Sequence, residues 1–265
     1  MAPEEASRDP IVVVEDLTTT YDGKTVLEGV SFEVYRGERF LILGESGCGK
    51  STLLRHMLGL AQPTSGRVTI EGMDIVGAEE EDLERLRLRC GVLFQSGGLF
   101  GSMTLFDNVA MPLREHTDLP ESMIRDIVRM KLGMVELSGF DNHLPAELSG
   151  GMNKRGGIAR AMAMDPEILF LDEPSAALDP VTAAELDLLM EEINEGMGTT
   201  MVIVTQDLSS VLEIGSRCIV IGKKERGIIA QGDPRRLREE AADQRVLGFF
   251  NRRPPQAQGD GMAGR

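Results

Sequence analysis

Gly44-Glu45-Ser46-Gly47-Cys48-Gly49-Lys50-Ser51 decides the reading of this chain. The eight residues fit G-x-x-x-x-G-K-[ST] and stand between an apolar run, Phe40 to Leu43, and a helical stretch, Ser51 to Leu60, that ends near Gly59. A buried strand that runs into a glycine loop and on into a helix is a phosphate-binding unit. Backbone N–H groups from Gly44 to Lys50 can wrap α and β phosphates, because glycines permit close approach and the helix adds its positive end. Lys50 is expected to reach the β and γ phosphates and the Ser51 hydroxyl to bind Mg2+, with Thr52 completing the set.

Ile168-Leu169-Phe170-Leu171-Asp172-Glu173 places two carboxylates at the end of a second buried strand. Beside a phosphate loop, Asp172 is expected in the Mg2+ shell and Glu173 at the attacking water, one carboxylate for metal and the next as base. A third element, Leu148-Ser149-Gly150-Gly151, stands just ahead of a helical run. It too is suited to an anion, since a helix N-terminus favours negative charge. Ser149 also fits a plain helix cap. One chain with one nucleotide has no use for two phosphate devices, so the second is expected to serve the nucleotide of another copy.

Around these motifs the chain reads as α/β. Segments near Ile11 and Val30 to Val34, with turn signals at Asp22-Gly23 and Arg36-Gly37, suggest antiparallel strands. Further buried strands are expected at Gly91 to Phe94 and Met201 to Val204, alternating with helices, which implies a largely parallel sheet covered on both faces. Between Gln95 and Pro166 the strand signal disappears, so this stretch reads as an all-helical insertion. Ala78 to Arg89 reads as a charged helix whose Glu81–Arg85 pair marks a solvated face, and the tail from Asn251 as disordered.

Composition narrows the function. The 265 residues are 42% apolar and 27% charged, enough for one globular domain with a subdomain, and no apolar run approaches the length that spans a bilayer. Met1 to Pro10 has no apolar core of a secretory signal, so a cytoplasmic location is expected. A net charge of -15 argues against nucleic acid as a partner. Cys48, Cys90 and Cys218 are too few and too scattered for a disulfide framework, and His56, His116 and His143 lack ligand-like spacing. Cys48, inside the phosphate loop, is expected to make nucleotide binding sensitive to thiol reagents, unless it is simply a small inert residue.

Gly44 to Ser51, Gln95, Leu148 to Gly151, Asp172-Glu173-Pro174 and Leu178-Asp179-Pro180 come in the order and spacing of ABC transporter ATPases, which the chain resembles from about Ile11 to Pro234. The resemblance implies an α/β P-loop NTPase of the ABC ATPase fold: a RecA-like parallel-sheet core, an antiparallel β subdomain and an inserted α-helical subdomain. It sets the ATP-binding domain at 10–245, the helical subdomain at about 96–165 and a C-terminal extension at 246–265. It implies ATP and Mg2+ as cofactors and a head-to-tail homodimer in which Ser149, Gly150 and Gly151 close on the partner's γ-phosphate and Asp179 sets the dimer contact. By the same resemblance Tyr21 looks like the aromatic that stacks on adenine, Gln95 like the residue that touches Mg2+ and water, and Leu99 and Phe100 like the lining of a groove for a membrane partner. A strand-edge role for Tyr21 and local packing for Leu99 and Phe100 stay open.

Finer stretches are similar to the ATPase subunit of Mla-type, MCE-associated phospholipid transporters. They are Phe94-Gln95-Ser96-Gly97-Gly98-Leu99-Phe100, Asp107-Asn108-Val109-Ala110-Met111-Pro112-Leu113-Arg114-Glu115-His116, and Ser149-Gly150-Gly151-Met152 with Lys154-Arg155. That family implies a permease dimer above the ATPases, an MCE-domain lipid carrier, and a place on the cytoplasmic face of the bacterial inner membrane. The Phe249-Phe250 segment also resembles it, and an apolar pair there is expected to dock on a partner surface.

One departure stands out. Where the family has His after the strand Met201 to Val204, this chain has Thr205-Gln206-Asp207. Gln206 donates and accepts hydrogen bonds but never becomes cationic, so hydrolysis is expected to be slowed while ATP binding survives. A natural variant, a substitution that traps the ATP-bound state, and an ATP-gated clamp that does not hydrolyse all fit. A lesser departure is Ala176-Ala177, ahead of Leu178-Asp179.

Overall fold

The computed structural model describes residues 9–251. The acidic start and the tail read as disordered therefore lie outside the described residues, apart from Asp9, Pro10 and Asn251.

β1 (Pro10–Tyr21) and β2 (Lys24–Tyr35) form an antiparallel hairpin. Its turn, Asp22-Gly23, has φ of 48° and 74°, the positive values that a tight two-residue hairpin turn requires. β3 (Arg39–Gly44) runs into the glycine loop and α1 (Lys50–Met57). β4 (Ser65–Ile70) and β5 (Met73–Asp74) return to the hairpin and complete a four-stranded sheet of order β2-β1-β4-β5. α2 (Glu80–Arg87) then leads to β6 (Cys90–Leu93).

The helical stretch that follows holds α3 (Leu105–His116), α4 (Glu121–Met134) and α5 (Gly150–Ala161). The chain re-enters the core as β7 (Ile168–Asp172), α6 (Pro180–Met197), β8 (Thr200–Val204), α7 (Leu208–Ile214), β9 (Arg217–Ile221) and β10 (Ile228–Gly232), and closes with α8 (Pro234–Glu240) and α9 (Gln244–Phe250). The large sheet has the order β10-β9-β3-β8-β7-β6, parallel throughout except for the β10–β9 pair. β6 and β7 lie side by side although the helical stretch separates them in sequence.

The apolar runs are continuous because both faces of this sheet are covered. Phe40, Ile42, Phe170, Val202 and Val204 pack toward α1 and the antiparallel sheet. Leu41, Leu43, Leu169, Leu171, Met201 and Ile203 pack toward the other helices. At the far end of the strands, Arg36, Glu71, Arg89 and Glu167 form an ion cluster, with Arg89 Nη2 donating to Glu71 Oε1 at 3.0 Å. It ties the β4–β5 turn to the starts of β6 and β7.

Two expectations need adjustment. β6 stops at Leu93, which leaves Phe94 beyond its strand and exposed. α2 carries the Arg85–Glu81 pair at 2.5 Å on its solvated face, as expected, and buries Leu83 and Leu86 on the other. Phe250 is also buried, and Phe249 partly so, within the core of their own chain, where α9 packs on α8. The apolar end thus finds an intramolecular surface where docking on a partner was expected.

Asp187, on α6, is 5% exposed, and its Oδ1 has no hydrogen-bond partner among the described residues. Burial, with the charges of Asp207 and Glu213 adding to it, pushes the carboxyl from its ordinary 3.8 up to about 6, while the Ser210 hydroxyl pulls the other way. An acid that holds its proton more tightly when folded contributes stability at low pH and loses it as pH rises through about 6. Asp187→Asn is therefore expected to stabilise the fold by about 1 to 3 kcal/mol above that pH and very little at pH 4. Thermal unfolding at the two pH values checks this, and an equal shift at both would refute it.

Candidate active site

β3, β8, β7 and β6 are parallel neighbours, so the residues that follow them emerge along one edge of the sheet. Gly44 and the phosphate loop leave β3, Thr205 and Gln206 follow β8, Asp172 and Glu173 end β7, and Gln95 follows β6. Ligand sites of parallel sheets form at this edge. Parallel pairing is what turns motifs scattered along the sequence into one site.

The glycine at the head of the loop is obligatory. Gly44 has φ 150°, and a Cβ there would meet Cys48 Sγ and the carbonyl oxygen of Ile221 at 2.6 Å each. Glu45, Ser46 and Gly47 are exposed along the loop, Gly49 caps α1, and Thr52 is half-buried in its first turn. Lys50, 6% exposed, curls back to donate to the carbonyls of Gly44 at 2.8 Å and Glu45 at 3.3 Å, and its Nζ lies 3.9 Å from Glu173 Oε1. The Ser51 hydroxyl donates to Asp172 Oδ1 at 3.4 Å.

Glu173 is 8% exposed with φ 48°, a left-handed backbone that costs a residue with a Cβ about 1 to 3 kcal/mol. Its N–H donates to the Val204 carbonyl at 2.8 Å, and its Oε2 accepts from the Gln206 N–H at 3.3 Å. Burial raises the Glu173 pKa, opposed chiefly by the Lys50 charge, and burial likewise raises that of Asp172, opposed chiefly by the Ser51 hydrogen bond. A carboxylate with enhanced proton affinity, held beside a cation, is equipped to take a proton from water. The Gln206 side chain is exposed and leaves this pocket to its backbone.

The segment after Gln95 is pressed against α5. A Cβ on Gly157 would lie 2.3 Å from the carbonyl oxygen of Gly97, so only glycine lets the helix come this close. Lys154 on α5 donates to the carbonyls of Gln95 and, at 3.1 Å, Glu173. Burial lowers the Lys154 pKa and the charges of Asp172 and Glu173 oppose that shift. The motifs assign no role to Gly157, and they include Lys154 only within a family-like stretch. The signal for Lys154 is periodic: Gly151, Lys154, Arg155 and Ile158 share one face of α5, all buried, with the cations seated on an otherwise apolar stripe.

Ser149 caps α5 by accepting from the Met152 N–H at 3.2 Å, so the cap reading holds for this side chain, while Ser149 and Gly150 stay exposed. Asp179 caps α6, accepting from the N–H groups of Val181 and Thr182 at 3.1 Å and from the Thr182 hydroxyl at 2.6 Å, which together hold its pKa down. The two helix starts adjoin, with Gly151 against Thr182 and Gly150 beside Leu178. Among the described residues no hydrogen bond joins Ser149–Gly151 to the phosphate loop. Tyr21, 46% exposed, stands apart at the end of the antiparallel sheet.

Leu99 and Phe100 part company. Leu99 packs against the core, while Phe100 is exposed with the Arg160 guanidinium 4.9 Å over its ring. Asn108, fully buried, pins Phe100 by accepting from its N–H at 2.7 Å and donating to its carbonyl at 3.1 Å. Arg160 also lines a groove of about 550 Å3 with Leu60, Phe94, Pro112, His116 and Met164. The thiol sensitivity expected of Cys48 is opposed by the structure: the side chain is 3% exposed, and burial raises its pKa. His56 is buried, bonded to the Thr19 hydroxyl and the Ala61 carbonyl.

A family model for ABC transporters matches residues 27–176. The chain is 38% identical over 247 residues to the intermembrane phospholipid transport system ATP-binding protein MlaF of Escherichia coli K12, covering 93% of this chain and 91% of that one. The Haemophilus influenzae MlaF matches at 38% over 240 residues. The probable ribonucleotide transport ATP-binding protein mkl of Mycobacterium leprae is 45% identical over 198 residues, covering 75% of this chain but only 57% of the relative, so the chain spans little more than half the length of that protein. Among solved structures, the post-hydrolysis dimer of the ATP-binding cassette MJ0796 bound to ADP and Pi superposes with a TM-score of 0.77 at 32% identity, covering 84% of this chain and 98% of the cassette. The cassette cbiO1 of Clostridium perfringens, part of the transporter complex cbiONQ, does so with 0.79 at 32%, covering 93% and 96%. With the phosphate loop, the paired acids and the two adjoining helix starts arranged on this fold, the chain belongs to the ABC transporter family.

Proposed function

We propose that this chain is the ATP-hydrolysing motor subunit of a transporter that moves phospholipids between the inner and outer membranes. The observation that carries the ATPase reading is the convergence at the phosphate loop: Glu173 Oε1 lies 3.9 Å from Lys50 Nζ and Asp172 Oδ1 3.4 Å from the Ser51 hydroxyl. Glu173 acts as base for the attacking water, and Lys50, Gly44 and the loop N–H groups to Ser51 and Thr52 hold the phosphates. Oxygen donors from Ser51, Asp172 and Gln95 suit a hard cation such as Mg2+, which when bound neutralises charge on the β and γ phosphates.

Ser149, Gly150 and Gly151, exposed at their leading edge and free of their own phosphate loop, serve the nucleotide of a second copy in a head-to-tail dimer, with Asp179 beside that contact. Tyr21 stacks on adenine. The groove beside Phe100 receives a segment of a permease. Among the described residues no helix is long and apolar enough to cross a membrane, so the permease holds the subunit at the cytoplasmic face of the inner membrane and an MCE-domain protein carries the lipid. Likeness to two MlaF proteins, covering 90% of one and 91% of the other, supports phospholipid as the cargo. Gln206 favours one further reading, an ATP-gated clamp that does not turn over.

Co-expression with a permease and an MCE-domain protein from the same source, reconstitution into vesicles and measurement of fluorescent phospholipid transfer test the proposal. ATP is expected to drive transfer, and Lys50→Ala to stop it. ATP hydrolysis without transfer of any phospholipid would overturn the cargo assignment.

A further inference from the structure

Lys154 lies five residues after Ser149 on α5 and is 6% exposed. A buried ammonium requires acceptors, and this one takes backbone carbonyls from two separate loops of the site, those of Gln95 and Glu173. The second contact matters most, because Glu173 holds a left-handed backbone at φ 48°. Its N–H is fixed by Val204 and its carboxylate by the Gln206 N–H. The carbonyl accepts from the Ala176 N–H within its own turn at 3.2 Å and from Lys154, 19 residues back in sequence, at 3.1 Å, the one side chain that ties it to another element.

We propose that Lys154 is a positioning residue for hydrolysis, whose ammonium fixes the strained turn at Glu173 and the Gln95 loop to the helix that begins with Ser149-Gly150-Gly151. The inference rests on the ATPase reading above. It also gives that reading a route between sites. In the proposed dimer the start of α5 serves the partner's nucleotide, while four to five residues further on Lys154 sets the base of its own, so closure of one site is felt at the other through one side chain.

Two measurements test this. In amide hydrogen exchange without nucleotide, Lys154→Met is expected to lose protection at residues 173–178 and 95–100 while the other strands keep theirs. In the assembled transporter it is expected to lower kcat roughly 10- to 100-fold, as misplacing a catalytic group does, with ATP affinity within about twofold of wild type. Lys154→Gln, which retains N–H donors, is expected to recover most of the loss. Unchanged exchange and turnover in Lys154→Met would overturn the proposal. So would a uniform loss of protection with kcat, affinity and Tm falling together and no advantage for Gln, since that pattern marks a structural residue. Absence of hydrolysis in wild type and in Gln206→His alike would refute the ATPase reading, whereas the exchange result judges Lys154 independently.

Discussion

Glu173→Gln is expected to lower ATP turnover roughly 10²- to 10⁴-fold, the range that general base catalysis contributes. Gln preserves the shape of the side chain and can still accept from the Gln206 N–H, so the loop should keep its form. What disappears is the basic oxygen beside Lys50. Because the carboxylate is buried and its pKa raised, removing its charge also removes a desolvation cost, and Tm should hold or rise. ATP binding should persist, and the dimer should accumulate around uncleaved nucleotide. Steady-state hydrolysis, nucleotide titration and sedimentation with ATP measure the three quantities. Turnover within about tenfold of wild type would remove Glu173 from the role of base.

Gln206→His is expected to act in the opposite direction, raising turnover roughly 10²- to 10³-fold, the effect of restoring one preorganised donor at a developing charge. The backbone at this position already touches Glu173 Oε2, and the side chain is exposed at the edge of the site, so a new side chain has room to turn inward without repacking. Imidazole adds what an amide lacks, a group that becomes cationic near neutral pH. Unchanged turnover would show that the motor runs without a cation here. Basal turnover already near that of other cassettes would dispose of the ATP-gated clamp.

The parts of this molecule that were legible in its sequence are those whose meaning is local. Gly44 to Ser51 is a contiguous device, and Phe40 to Leu43 or Ile168 to Leu171 announce buried strands because each face of the sheet demands an apolar residue. β4 begins Ser-Gly-Arg with all three residues exposed, and β10 offers only Ile228-Ile229-Ala230, none of them fully buried, so neither has an apolar run long enough to read as a buried strand. α8 and α9 are seven residues each, too short to show a periodic stripe. Within the site, Asp172 and Glu173 stand next to each other and reveal themselves, whereas Lys154-Arg155 is legible only as part of a stretch similar to a transporter family, with no chemistry attached to it. The acceptors of Lys154 come from two other loops, and no pattern near residue 154 encodes that they will arrive.

The pairing of β3 carries a consequence for how the protein is made. Arg39 pairs with Met201 and Phe40 with Arg217, so the strand that feeds the phosphate loop has no neighbour until late in synthesis. At about 5 to 20 residues per second, the ribosome needs roughly ten to thirty seconds to deliver those flanking strands. In that interval Phe40 to Leu43 is an apolar segment with two open edges, while β1, β2 and β4 can already close on one another. Nucleotide therefore cannot nucleate folding from the N-terminal half. A nascent chain that stops before Thr200 contains every residue of the phosphate loop but neither strand that flanks β3, so the binding of nucleotide waits on the C-terminal half of the polypeptide.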